Sequence, residues 1–472
     1  MRSKPFQMIA EPLHRATLDL LARVGVRVES TPALELLAAR QVRIDMALRR
    51  VYPDARQIEA MLGTAPRTFP VYGRQTDRPL IIGGDTPHII AGGASVRVLD
   101  LDGRYVTATW GHLRQFITLL DALPCIHLLL NQVDPAEETQ HYYLRLAAEM
   151  LIGSPKPCAL QAQNGADVTA MVAMAACIRG SRGALADRPL FVTGTNAEPP
   201  LCIPAHAAEV LMTASAAGVP CGLGDYVMMG ITAPVTTAGA LVQRNAVQLT
   251  ALLLIQLVHP GAPCYYSAAS GAGCLRTLNS VTANPQAVHL VRLATQQGRF
   301  YGLPVWAIAP TDARQPDSQA ACERTIFLQT VMDAGASLIQ GPTSMMDQMM
   351  LSSFAQAIID HDIIGYLLAA RQNTTVNADT LAAEAIQEVV TDAAYAEMKF
   401  AAHPHTVDHL RDDAWRPLAF AYDTFAEWQR HGGMSLVERA TSVARDLLDH
   451  HQPEPVGSDL AAEIRRIAEV AR

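Results

Sequence analysis

A (β/α)8 TIM barrel, carrying an N-terminal helical and β extension and C-terminal helices, is the fold this sequence predicts. Three observations predict it. From about residue 120, short apolar runs rich in β-formers recur at intervals. Longer Ala- and Leu-rich stretches of helical character separate them, as in AGALVQRNAVQLTALLLIQLVHPG and DSQAACERTIFLQTVMDAGA. The runs themselves are nearly continuous in apolar character, which suits parallel strands covered by helices on both sides.

The elements follow in order. In LHRATLDLLARVGVRV, residues Leu13, Leu20, Leu21 and Val24 share one helical face with Thr17 between them, and Gly25 is placed to stop the helix. PALELLAARQV and ARQIEAMLGTA repeat the helical pattern. HIIAGGASVRVLDLDGRYVTAT reads as two strands joined at the Asp102-Gly103 turn. Seven strand runs come next: CIHLLLNQ, PCALQAQ, RPLFVTGT, VPCGLGD, APCYYSA, LPVWAIA and ASLIQGP. An eighth is expected either from IIGGDTPHIIAGG or from the region after residue 350. The chain thus divides into an extension over 1–118, a barrel core over 119–372 and terminal helices over 373–472.

Composition narrows the function. The formal charge of −8 and the lack of a basic stripe argue against nucleic acid as a partner. No uninterrupted apolar run reaches the roughly 18 residues that span a bilayer, and the start lacks a secretory core, so a cytoplasmic protein is expected. Eight scattered cysteines without a C-x-x-C pair point to reduced thiols. No G-x-G-x-x-G or G-x-x-x-x-G-K-[ST] follows a strand, which disfavours nucleotide binding, and no G-x-S-x-G marks a serine hydrolase.

In a barrel, function sits where strands end. Those ends carry Asn131, Asp134, Gln161, Gln163, Thr193, Asn196, Asp225, Tyr226, Ser267, Thr311, Asp312 and Gln340, a set of neutral amides and hydroxyls with a few carboxylates, suited to a small polar molecule. Each alone reads equally as a turn former or helix cap. Asp317, behind Pro316, reads as an N-cap, and Glu323 as either a site residue or a surface residue. His403, His405 and His409 invite a metal, but H-T-V-D-H lacks the glutamate of the zincin pattern, and no metal is expected. Cys322 is expected to face the core. The glycines of SAASGAGCLRTLNS would break a helix, so a flexible loop is expected there, with Arg276 free to meet a carboxylate.

Four blocks in order carry a family resemblance: LLARVGVRVESTPALELLAARQVRID, GITAPVTTAGALVQRNAVQLTALLLIQLVHPGAPCYY, FYGLPVWAIAPTDARQPDSQAACE and HPHTVDHLRDDAWRPLAFAYDTFAEWQRHGG. The chain resembles the trimethylamine methyltransferase superfamily, which includes the glycine betaine methyltransferases that lack pyrrolysine. The resemblance implies a TIM barrel and methyl transfer from a methylamine or quaternary amine to the cobalt of a separate corrinoid protein, with no cofactor held tightly by this chain. It places Arg314 where relatives carry pyrrolysine, which directs the expectation to a quaternary, betaine-like substrate. Such a cation is held by aromatic faces and carboxylates. Tyr226, Tyr265, Tyr266, Tyr301 and Trp306 are the aromatic candidates, and Asp225 and Asp312 the acidic ones. The expected catalytic set is Asp312, Arg314, Gln319 and His405; Asp225, Tyr226, Tyr265, Arg276, Asn131, Asn196 and Glu323 are expected to bind substrate. A glutamate is usual in the family at the positions of Val247 and Gln286. A quaternary-amine binder on a degenerate barrel, transfer to another acceptor and a homo-oligomer remain open.

Overall fold

The computed structural model describes residues 4–470 except 138 and 414. It is a mixed α/β structure whose centre is a succession of parallel pairings. His88–Ile90 pairs with Leu338–Gln340, which pairs with Val305–Ile308, which pairs with Tyr266–Ser267. A bridge from Cys264 to Cys221 leads on to Cys221–Gly224, then to Phe191–Asn196 and to Cys158–Gln161. Bridges from Cys158 to Leu129 and from Leu128 to Ile90 return the succession to its first segment. All seven predicted runs supply these segments, and IIGGDTPHIIAGG supplies the eighth through His88–Ile90. That strand lies inside the 1–118 span read from sequence as an extension.

Helices follow the strands because their apolar stripes cover the outer face of the sheet. The longest, Thr237–Val258, is apolar enough to cross a membrane by length and composition, yet most of it is buried in the core. Such a helix is buried on nearly every side because neighbours surround it, and its buried Arg244, Asn245 and Gln248 find partners there. Helix Lys4–Arg23 packs on it, as does Ala55–Thr64. Leu13 and Leu21 are buried as predicted, but Val24 is exposed, since the helix ends one residue earlier. Asp54 and Gln57 form a capping box that starts Ala55–Thr64.

The predicted hairpin is present: Arg97–Leu99 pairs antiparallel with Tyr105–Thr107, and Asp100 accepts from the Asp102 and Arg104 backbone across the turn. At the C-terminal end, Leu436–His450 packs on Phe354–Ala369, and Ser458–Val470 on Tyr142–Gly153 and Gly165–Arg179.

Candidate active site

Strand alternation decides which side chains meet at the centre. Tyr265 and Trp306 point inward, where their rings lie 5.0 Å apart at 33°. Tyr266 points outward and is fully buried against the helices. Room for the Tyr265 ring comes from Gly222, where any Cβ would stand 2.5 Å from the ring. The polar tips of both inward aromatics are tied down. Tyr265 Oη donates to the Thr193 carbonyl at 3.1 Å, and Trp306 Nε1 donates to Gln340 Oε1 at 3.0 Å. With the tips satisfied, the ring faces remain available.

A cavity of about 100 Å³ opens above this aromatic pair toward the strand ends. Gln161, Thr195, Asn196, Ser267 and Gln340 supply its polar lining, and Leu130 and Val192 part of its apolar wall. Among the described residues, no charged side chain lines it. The arrangement can enclose a small apolar cation by its faces and offer amide and hydroxyl hydrogen bonds to a polar group.

Two of the predicted site residues, Asn196 and Tyr265, line this cavity; Gln161, Trp306 and Gln340 were noted at strand ends or among the aromatics but left out of the expected set. The two-residue parity that puts Ala159 with Gln161 and Leu338 with Gln340 on the inward side, alongside Trp306, was the signal that could have ranked them. Asn131 follows the lining residue Leu130, is buried, and donates through Nδ2 to Asp134 at 2.6 Å.

The loop after Val305–Ile308 gathers another group. The Asp312 carboxylate accepts from the backbone N–H groups of Thr282 and Ala283 and from the Thr282 hydroxyl, so it is filled with donors. Glu323 accepts from Thr311 Oγ1 at 2.6 Å, from the Asp312 N–H at 2.8 Å and from Gln319 at 2.8 Å. Asp317 caps helix Ser318–Asp333 as predicted, accepting from Gln319 and Ala320 N–H. These carboxylates bind the loop to itself and to its neighbour. Arg314 is exposed at the edge of this loop and pairs with Asp347 at 3.5 Å. Cys322, expected in the core, is exposed on the outer face of the helix.

The remaining candidates lie elsewhere. Ser270–Gly273, expected as flexible loop, is instead a strand, parallel to Val227–Met229 and antiparallel to Ser280–Val281. Its glycines serve close approach: a Cβ on Gly271 would collide with Tyr226 Oη, which bonds Ser280 Oγ at 3.2 Å. Arg276 is exposed on the turn beyond. His405 lies beside His409, ring centroids 4.3 Å apart and tilted at 40°, far along the chain in helix Pro404–Asp413. Among the described residues, no group of three or more His, Cys, Asp or Glu is placed to hold a metal. Val247 is buried in its helix and Gln286 is exposed on the first turn of another, so neither lines the cavity.

Asp225 is the unusual acid. It follows Gly224 but is fully buried, and neither carboxylate oxygen has a hydrogen-bond partner. Burial pushes its carboxyl up to about 7, against an opposing pull from the Arg244 charge. Arg244, on Thr237–Val258, bonds Tyr266 Oη at 3.1 Å and the Ser267 carbonyl, behind the cavity wall. A folded-state pKa above the ordinary 3.8 means the native chain holds an extra proton between those values. Its contribution is therefore fully present at low pH and declines as pH rises toward 7. Asp225→Asn is expected to flatten that decline when urea unfolding is measured from pH 4 to 8. An unchanged slope would mean the carboxyl is ionised in the folded chain.

The family model and the curated relatives point to one family. A family model for trimethylamine methyltransferase (MTTB) matches residues 7–472. The chain is 27% identical over 460 residues to trimethylamine methyltransferase MttB of Desulfitobacterium hafniense (strain DSM 10664 / DCB-2), covering 97% of this chain and 91% of that one. It is 24% identical over 463 residues to the glycine betaine methyltransferase of Desulfitobacterium hafniense (strain Y51), covering 96% and 94%. The solved monomethylamine methyltransferase of Methanosarcina barkeri superposes with a TM-score of 0.49 at 10% identity, covering 93% of this chain and 86% of that one. With a family match over nearly its whole length, the chain belongs to the trimethylamine methyltransferase family.

Proposed function

We propose that this chain is a cytoplasmic methyltransferase that moves a methyl group from a small quaternary, betaine-like or tertiary amine to the cobalt of a separate corrinoid protein. We further propose that its parallel segments form a closed (β/α)8 barrel, a reading supported by the succession of pairings that returns to its start. The aromatic pair Tyr265 and Trp306 carries the substrate assignment. A quaternary ammonium has no N–H to donate, so it is held by ring faces. Neutral donors from Gln161 and Asn196 suit a carboxylate on the same molecule, since no cationic side chain lines the cavity among the described residues.

Size supports a partner-borne acceptor. A cavity of about 100 Å³ admits a small amine and not a corrin macrocycle. The acceptor must then approach from the strand ends. A corrinoid cobalt presented there would supply the nucleophile, and the nitrogen would leave as the amine with one methyl fewer. In this reading Tyr265 and Asn196, with Trp306, Gln161 and Gln340, bind substrate, while Asp312, Gln319 and Glu323 hold the loop beside them.

The test combines the chain with a reduced corrinoid protein and a panel of betaines and methylamines, following cobalt methylation spectroscopically. At least one substrate is expected to yield methylated cobalt. Calorimetric binding of the panel without any methylation would sink the enzymatic reading and leave a binding protein.

A further inference from the structure

Residues 373–413 leave the body as an arm of short helices, among them Ala383–Thr391 and Pro404–Asp413. The chain returns at Trp415, whose ring meets Tyr366 edge-on at 5.5 Å, and at Leu418, Ala419 and Phe420, whose N–H groups donate to Asp362. Between these ends, the described hydrogen bonds and ion pairs of residues 373–409 keep both partners inside the arm. His403 meets Glu388 at 3.0 Å and His409 approaches Asp379 at 3.4 Å. Only Ala385 and His403 are buried among the arm's described side chains.

Eight large apolar side chains of the arm are exposed, Val390 at 77% and Val376 at 71% among them. These exposures run from 41% to 77%, so the arm's large apolar side chains lack a cover within the arm. A segment with so little burial of its own cannot offset the entropy of ordering it. It needs a cover. The arm also carries eight acidic residues against Lys399 and Arg411.

A face of opposite character lies on the same chain. No Asp or Glu occurs between Asp225 and Asp312. Within that span Ile231, Val235, Leu275 and Leu278 are exposed, with Arg276 between the last two. Leu275 and Val235 converge on Gly230, at 3.1 and 3.7 Å from the position of a Cβ there, so they form one patch. Beside Val235, Pro234 lines an apolar groove of about 550 Å³ that Leu20, Leu201 and Val242 complete.

We propose that the acidic, apolar arm of one copy docks on this acid-free apolar face of a second copy, making the chain at least a dimer with the contact formed in both directions. Two faces of one chain match in hydrophobicity, the acidic one meeting a face that carries Arg276 and a groove with no charged lining among the described residues, and a second copy supplies a permanent cover wherever the chain assembles.

Sedimentation velocity tests this with an arm variant, Ile386→Glu with Val390→Glu, and a face variant, Leu278→Glu. All three positions are exposed, and thermal melting checks that each variant still folds. The wild type is expected to sediment as a dimer or larger, and each variant to dissociate at least tenfold more readily. An equimolar mixture is expected to reassociate more tightly than either variant alone, because one unaltered arm meets one unaltered face. A monomeric wild type, an assembly that both variants leave intact, a loss confined to the arm variant, or a mixture that fails to reassociate would each overturn the proposal.

Discussion

Trp306→Leu is expected to weaken binding of a quaternary ammonium ligand by about 2 kcal/mol, roughly thirtyfold in Kd, because it removes a desolvated ring face and keeps apolar volume. Trp306 is positioned on two sides, by Tyr265 at 5.0 Å and by its hydrogen bond to Gln340. Leucine keeps most of the wall but offers the cation no electron-rich face. Trp306→Phe should fall between the two, retaining a weaker face and losing the bond to Gln340. Isothermal calorimetry with the substrate found active in the methylation panel measures all three. Equal affinity for the tryptophan and leucine forms would remove the aromatic pair from substrate recognition.

The largest effect on stability is expected at Arg324. Its side chain is fully buried, and it joins Asp360, also fully buried, at 3.1 Å. The same guanidinium donates to the carbonyls of Ala309, Gly341 and Met345, which lie just beyond two adjacent strands. Arg324→Met is expected to lower unfolding stability by about 3–5 kcal/mol, since a buried carboxylate loses its counter-charge and three carbonyls lose donors. Urea denaturation checks this. Arg324→Met combined with Asp360→Leu should recover part of the loss, because the orphaned charge is then gone. A single variant within 1 kcal/mol of wild type would show that water or other donors replace the arginine. Both strand-end loops depend on this residue, so methyl transfer should fall alongside stability.

Much of the fold was legible because its signals are local. The run LPVWAIA is apolar, β-forming and bounded by prolines, and it forms Val305–Ile308. Asp317 after a proline announced the helix it caps, and Asp102-Gly103 announced a hairpin. The loop around Gly271 was misread for an equally local reason. Paired glycines signal either freedom or close packing, and only the neighbour decides; here Tyr226 presses against the strand.

The candidate site was less legible. A polar residue at a strand end reads the same whether it faces the cavity or ties a loop. Asp312 and Glu323 read as site residues in sequence, yet their oxygens are taken by backbone and hydroxyl donors. Asp225 and Gly224 are adjacent, but alternation puts the glycine on the cavity and sets the acid beside Arg244 of the covering helix. His405 is brought beside His409 rather than to the cavity.

By itself, the sequence determined the family, the alternation of strand and helix, and the caps and turns that bound them. Each of these rests on residues close together in the chain or on a pattern repeated along it. Only the tertiary structure decided that Tyr265 and Trp306 share a cavity, that Arg324 locks two loops through Asp360, and that residues 373–413 stand out as an acidic apolar arm. Those outcomes depend on which side of a strand meets which neighbour. That is a matter of contacts between residues far apart in sequence, and no local pattern encodes it.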